Sequence, residues 1–554
     1  MRSVFSRVLA LLLVACSGPK ADIEAELRTL DLTRGDIALC GAGEGQFGSV
    51  NFGLTCSPRV QADFNLATAL LHSFEYTESE KAYAKVIDAD PTCVMAYWGA
   101  AMSLYHPLWA PPDHHELEKG AKVIALGRSI VGGADSKESR YLEAIATIFD
   151  DWDKLNHLTR VLKFEAASKK VADRYPDDHE AAVFYALAIR AAADPTDKTF
   201  ARQKKAAEIL NGVLEKEPNH PGITHYIIHT YDYPELAELA LPAARSYAQI
   251  AAASAHAQHM PSHIFTRLGL WSESAASNIK SIAAAQCYAQ QMGVDHYDEE
   301  LHGMDYLTYA YLQSAADDKA LEQLQILDTI TEVWPQNFKN AFAFASIPAR
   351  YALERKDWEQ ASRLQLAPTS FPWNDYPWER SNLVFGRLLG NVHLKKLADA
   401  RKDLELLKSA QQELATANNE RKSRYVLIQA KAGEAWILFT EGEKPEAFAL
   451  MTKAADLEDG TEKEAVTPGE VLPARELLGD MHLADGDYSK ALEAYEANLV
   501  RRPNRYNSLY GAFGAARKLG KTTEAREYQE KLREVTKGSV NTRAELVSLK
   551  TPAL

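Results

Sequence analysis

The sequence predicts an all-α chain built as a long array of stacked helix pairs. Three observations carry this. Alanine is abundant while glycine (29) and proline (23) are moderate, a balance that favours helices over strands. Beyond residue 60 the apolar pattern is helical throughout. Similar residues also recur about 34 positions apart, and 554 residues exceed what one compact core requires. The 46% hydrophobic and 25% charged fractions exclude a largely disordered chain. A formal net charge of −14 repels phosphate backbones, which argues against a nucleic-acid partner.

The first element is an address. Residues 1–16 read MRSVFSRVLALLLVAC, with Arg2 and Arg7 ahead of the apolar run Val8 to Ala15. That run is too short to span a bilayer, which takes about 20 helical residues, and has the form of a secretory signal. Leu13-Val14-Ala15-Cys16 resembles a bacterial lipobox. The resemblance implies a signal peptide at 1–15, cleavage before Cys16, acylation (palmitate) of Cys16, and a lipid-anchored protein. Ser17 is similar to the outer-membrane sorting state, facing the periplasm. Contact with the membrane is then through the anchor alone.

Residues 16–60 read as a linker with a glycine-rich loop. An exported chain meets an oxidising compartment, so its remaining cysteines, Cys40, Cys56, Cys93 and Cys287, are free to pair. Cys40 and Cys56 flank the loop GAGEGQFGSVNFGLT, and a bridge between them is the favoured pairing. No CxxC pair is present, so a thiolate zinc site is not supported.

The repeats follow. Near the C-terminus Leu478, Gly479, Gly486, Tyr488, Ala491, Tyr495 and Pro503 match the tetratricopeptide pattern of small and large residues. Leu66, Ala67, Leu70, Tyr76, Tyr83 and Pro91 give an earlier copy, and Ala206, Leu210, Val213 and Pro218 another. Such units cannot bury their apolar faces alone and stack continuously. The expected fold is therefore a tetratricopeptide-repeat α-solenoid, a right-handed superhelix. The proline- and aromatic-rich stretch 366–378 suggests an N-terminal array over 61–365 and a C-terminal one over 366–548.

Histidines then fall at matched repeat positions. HPGITHYIIHTY (220–231) carries His225 and His229 at positions 5 and 9; one 34-residue step places His259 and His263 there in HAQHMPSHIF (256–265). His256 takes position 2, and a later repeat gives His302, Asp305 and Tyr309 at 2, 5 and 9. Residues four apart share a helix face, and these repeat positions line the ligand groove in tetratricopeptide domains. His225, His229, His256, His259, His263, His302 and Asp305 are therefore expected to converge, with Tyr226 and Tyr309 at the groove edge. Imidazole and carboxylate donors suit zinc, copper or iron. Pro261, between His259 and His263, threatens that geometry by starting or kinking a helix. His72 and His106 form a second matched pair, read first as helix-end packing and second as groove residues beside Trp98.

No phosphate loop, nucleophile elbow, dinucleotide fingerprint or HExxH motif is present. The phrases FNLATALLHSFEY, MAYWGAAMSLYHPLW, HPGITHYIIH, HAQHMPSHIFTRLG and RRPNRYNSLYGA resemble a widespread group of bacterial exported tetratricopeptide-repeat lipoproteins. That resemblance implies fold and location and transfers no catalytic residue. Two readings of function stand side by side. One is a tethered protein that binds a peptide or protein partner in its groove. The other is a metal-binding protein or metal-dependent enzyme using the histidine cluster.

Overall fold

A computed structural model of the chain describes residues 23, 26–40, 44–539 and 543. The expected leader at 1–15 and Cys16 lie outside the described residues. Among those described there is no strand, only an isolated parallel bridge between Tyr297 and Trp334. None of their helices is long and apolar enough to cross a membrane. The fold is all-α, and helices pack mostly on their neighbours in chain order.

The chain forms two compact units. The first takes the described residues up to Ile37, then Asn51–Leu71 and Tyr76–Ala192. Its helices include Tyr76–Ala89 and Val94–Ser103, and the next four, His114–Val131, Lys137–Phe149, His157–Arg174 and His179–Ala191, start where the sequence supplies caps. Asp113 and Glu116 form a capping box, as do Ser136 and Ser139, and Asn156 and Asp178 accept first-turn N–H groups. The core is aromatic. Trp98, only 2% exposed, meets Phe184, Tyr141 and Phe52 at ring separations of 4.9, 5.6 and 5.7 Å. Trp98 is thus a packing residue and lines no groove.

The second unit takes Ala38–Val50, His72–Glu75 and the chain from Ala193 onward. Its helices run from Ala201–Leu214 through Pro221–Tyr231, Trp271–Met292 and Asp298–Gln313 to Thr522–Val535. The repeat signature has a steric basis here. The buried Tyr495 ring lies between Gly479 and Gly511, where an added Cβ would come within 2.7 and 2.3 Å of it. Only glycine admits the ring on both sides, so the large residue of one helix seats in the small residues of two neighbours.

Two expectations need correcting. The division does not fall at 366. Phe371, Trp373 and Trp378, in the aromatic stretch read as a break, are buried in one hydrophobic cluster that also holds Leu353 and Leu404. Proline and tryptophan together mimicked a linker, but three large rings in this stretch are drawn into the core. Nor do Cys40 and Cys56 pair. The bridges are Cys40–Cys287 and Cys56–Cys93, with Cα atoms 5.9 and 5.0 Å apart. The glycine-rich loop does not close on itself because its ends join different units. The Ser49 N–H donates to the Asn219 carbonyl (3.0 Å) and the Ala253 N–H to that of Gln46 (3.1 Å). Phe52, a few residues on, is buried in the aromatic core of the first unit.

Candidate metal centre

The histidines belong to four helices of the second unit, Pro221–Tyr231, Ala255–His259, Pro261–Leu268 and Asp298–Gln313. Pro221 opens the helix Pro221–Tyr231 at its first turn, where its missing N–H is no loss, and the His220 ring accepts the Ile223 N–H. His225 and His229 follow one turn apart. Ser254 caps Ala255–His259, and Pro261 opens Pro261–Leu268. Met260, between them, keeps right-handed helical angles (φ −52°, ψ −36°). Pro261 therefore starts a helix without turning the chain, and His259 and His263 still share a face. His302 comes from Asp298–Gln313.

Two trios result. One ring nitrogen from each of His225, His229 and His256 lies within 4.8 Å of the others, and the same holds for His259, His263 and His302. Across the trios, the rings of His229 and His263 are 6.5 Å apart. His225, His256, His259, His263 and His302 are all at most 5% exposed, and His229 is half-buried.

The hydrogen bonds fix which nitrogen faces inward. His225 Nδ1 lies 2.6 Å from the His72 backbone carbonyl, an acceptor only, so Nδ1 carries the proton and Nε2 a lone pair. His263 Nδ1 donates to Asp232 Oδ2 at 3.0 Å. His259 Nδ1 lies 2.7 Å from Asn278 Oδ1, and Asn278 is oriented by donating Nδ2 to the Ser274 carbonyl at 2.8 Å. His259 therefore donates as well. The Nε2 atoms of His259 and His263 then face each other at 3.0 Å, both as lone pairs. In the first trio His225 Nε2 lies 3.1 Å from His256 Nε2.

Electrostatics favour the neutral, ligating form. Burial lowers His225 to about 3 and drives His256, His259 and His302 well below the usual histidine value. Each of the latter three is lowered further by a neighbouring imidazole. Burial also lowers His263, although Asp232 opposes it. Burial alone would raise the Asp232 carboxyl, but Lys463, Arg267 and His263 hold it well below the ordinary range. It is thus an anion, gripped by Arg267 Nε at 2.8 Å and directed at His263.

Neighbouring groups close the centre. The Phe74 ring lies 4.3, 5.4 and 5.6 Å from those of His225, His229 and His256. Tyr306 stacks on His263 at 5.0 Å. Gly222 lets the His72 ring approach, since a Cβ there would sit 2.3 Å from His72 Nδ1.

Six of the seven expected ligands come together. Asp305 does not. One turn beyond His302, it points instead at the helix Phe338–Glu354, accepting from Arg350 Nη1 at 2.6 Å and Ser346 Oγ at 3.0 Å. A buried guanidinium is a stronger claim on that carboxylate than the histidine face. Tyr309 likewise turns away, its hydroxyl accepting from Arg505 at 3.0 Å; Tyr306 takes the place expected for it. The Tyr226 hydroxyl contacts His72 Nδ1 at 2.9 Å, beside the centre rather than in it. His72 contributes through its carbonyl, while His106 belongs to the first unit and packs on Tyr76 at 4.4 Å. Asn278 and Phe74 carried no sequence signal, since neither repeats at a ligand spacing. Asp232, like Asp305, is an acid that a histidine could pair with, but no spacing in the sequence fixes His263 as its partner.

No family model matches the chain, and no curated protein matches it. Among solved structures, human IFIT1 as a dimer with m7Gppp-AAAA is similar at a TM-score of 0.32 and 12% identity, covering 93% of this chain and all of that one. The Cut9-Hcn1 hetero-tetramer of the APC/C is similar at a TM-score of 0.30 and 12% identity, covering 89% of this chain and 90% of that chain. Neither likeness bears on what this chain binds.

Proposed function

We propose that the second unit is a metal-binding module whose centre is held by two imidazole trios, His225, His229, His256 and His259, His263, His302. The observation that carries this is the pair His259 and His263. Their Nε2 lone pairs meet at 3.0 Å, a repulsive contact unless a cation sits against both. Two nitrogens on one tetrahedral zinc lie roughly 3.3 Å apart, from Zn–N bonds of about 2.0–2.1 Å. A proton could reconcile one such pair, but it does not call for a third imidazole beside each pair. Burial also lowers the basicity of five of the six rings, which disfavours the proton and leaves the lone pairs to a metal. The donors are all nitrogen, which suits zinc, copper or iron. Three ligands per ion leave coordination positions open for an exogenous group, the arrangement of catalytic rather than structural sites.

The test is elemental analysis of untagged protein beside a His259→Ala/His263→Ala variant. Stoichiometric metal in the parent and its loss in the variant supports the reading. Parent protein that neither contains nor takes up zinc, copper or iron would sink it.

A second reading, protein or peptide binding, draws its support from the helical-repeat fold itself. The aligned histidines are too buried to stack on a peptide, so such a partner would use other surfaces of the array. Export is supported by the two disulfides, which persist in oxidising compartments. Anchoring through Cys16 rests on the leader sequence alone, and acyl-chain mass on the mature N-terminus tests it.

A further inference from the structure

A cavity in the second unit lies between Pro377–His393 and Glu420–Glu441, with residues 461–474 along its edge. Its walls are largely apolar and aromatic: the rings of Phe342 and Trp378 lie 5.1 Å apart, and those of Trp378 and Tyr425 5.2 Å. Two side-chain amides interrupt that apolar lining. Gln429 Nε2 donates to Asn382 Oδ1 at 2.8 Å, which locks the two side chains together. Their other ends, Asn382 Nδ2 and Gln429 Oε1, are buried and make no hydrogen bond to the protein. Asn382 as a whole is only 3% exposed. An unpaired buried donor or acceptor costs about 1–3 kcal/mol, so a donor and an acceptor left unpaired on two residues lining one cavity mark a place for a group offering the converse pair. A ligand amide does so, its carbonyl accepting from Asn382 and its N–H donating to Gln429.

The charged residues lining the same cavity are Glu458, Glu464, Glu470 and Lys463, and the three glutamates are engaged by arginines outside its lining. Arg502 engages Glu458 at 3.1 Å and Glu470 at 2.8 Å, and Arg421 engages Glu464 at 2.7 Å. Lys463 is different. Although nearly buried, its Nζ has only long contacts: Ala465 and Glu464 carbonyls at 3.3 and 3.4 Å, and Asp232 Oδ2 at 3.5 Å. Burial lowers it to about 8, the mark of an ammonium poorly compensated for its lost water.

We propose that this cavity is a binding site for a small aromatic carboxylate carrying an amide, with the ring against Trp378 and Tyr425, the amide on Asn382 and Gln429, and the carboxylate on Lys463. The chemistry is that of an N-acylated aromatic amino acid. Lys463 also touches Asp232, the partner of His263, so the site adjoins the histidine centre. The proposal does not rest on that centre holding metal.

Calorimetric titration of the metal-free full chain with N-acetylphenylalanine tests it. Saturable one-to-one binding is expected, and the methyl ester, which lacks the charge, should bind roughly tenfold or more weakly. Gln429→Leu and Asn382→Leu should each weaken the acid roughly fivefold, with an unchanged circular dichroism spectrum. Lys463→Met should bring the acid down to the affinity of the ester. Absence of saturable binding to the parent protein overturns the site. So does an acid-to-ester ratio near one, which needs no variant, or a ratio that survives Lys463→Met. Because metal is absent throughout, failure here leaves the histidine reading standing, and failure of that reading leaves this one.

Discussion

His259 and His263 present their Nε2 atoms to each other at 3.0 Å while each commits its Nδ1 proton elsewhere, to Asn278 and to Asp232. The outer partners matter as much as the rings, since they set the tautomer and aim the lone pair.

Asp232→Asn is therefore expected to weaken metal binding about 10–100-fold while leaving all six histidines in place. The amide is neutral and can turn its NH₂ toward His263, which forces the wrong tautomer. Competition titration with a chromophoric chelator reads the change, and an unaltered affinity would remove Asp232 from the centre.

Asp305→Asn should behave in the opposite way. Its carboxylate serves Arg350, which is fully buried. Breaking such a pair leaves an uncompensated charge and costs about 3–5 kcal/mol. The variant should melt earlier yet retain its metal stoichiometry. Loss of metal from protein that remains folded would return Asp305 to the ligand set.

Acid should destabilise the metal-free chain. Burial lowers His225 to about 3 and His393, stacked on Trp358, to about 4. In the unfolded chain both titrate near 6.5. Between these values the unfolded state binds more protons, so stability is full above about pH 6.5 and falls as pH drops toward 4 and 3. Each such histidine contributes a slope of about 1.4 kcal/mol per pH unit. Urea midpoints at pH 7.5, 6 and 5 measure it, and a flat series contradicts the buried neutral rings.

The disulfide pattern makes a separate prediction. Non-reducing peptide mapping should recover Cys40 linked to Cys287 and Cys56 linked to Cys93. A Cys56→Ser/Cys93→Ser variant should lose about 2–5 kcal/mol of stability. Metal stoichiometry should not change, since neither cysteine belongs to the unit that carries the histidines. A peptide joining Cys40 to Cys56 would contradict the fold near the glycine-rich loop.

Much of the site could be read from the chain because repeats turn sequence spacing into spatial spacing. His225, His229, His259 and His263 kept their register, and even Pro261 preserved it, being tolerated at a helix start. What failed was whatever depends on a partner far away in sequence. Asp305 sits in register, but Arg350 outbids the histidine face for it, and nothing near residue 305 announces that. Cys40 and Cys56 were paired by proximity, whereas Cys287 lies 247 residues from its mate. His106, matched to His72 by the repeat arithmetic, packs in the first unit as its first reading has it, whereas Trp98, a candidate groove neighbour, lies in that unit's core. The stretch 366–378 misled because composition reports prolines and not the burial of Phe371, Trp373 and Trp378.

Residues 72–75 belong to the second unit although most of the first is encoded after them. The His72 carbonyl that orients His225, and the Phe74 ring that covers its trio, are synthesised long before any of the six histidines. During translation these four residues must wait, without their partners, while an intervening unit is made and has the chance to fold. The centre can form only after His302 has left the ribosome, and Lys463 reaches Asp232 later still. Assembly of this site is therefore a late event in the life of the chain. A chain begun at residue 193 would contain every proposed ligand and still lack two of the groups that hold them in place.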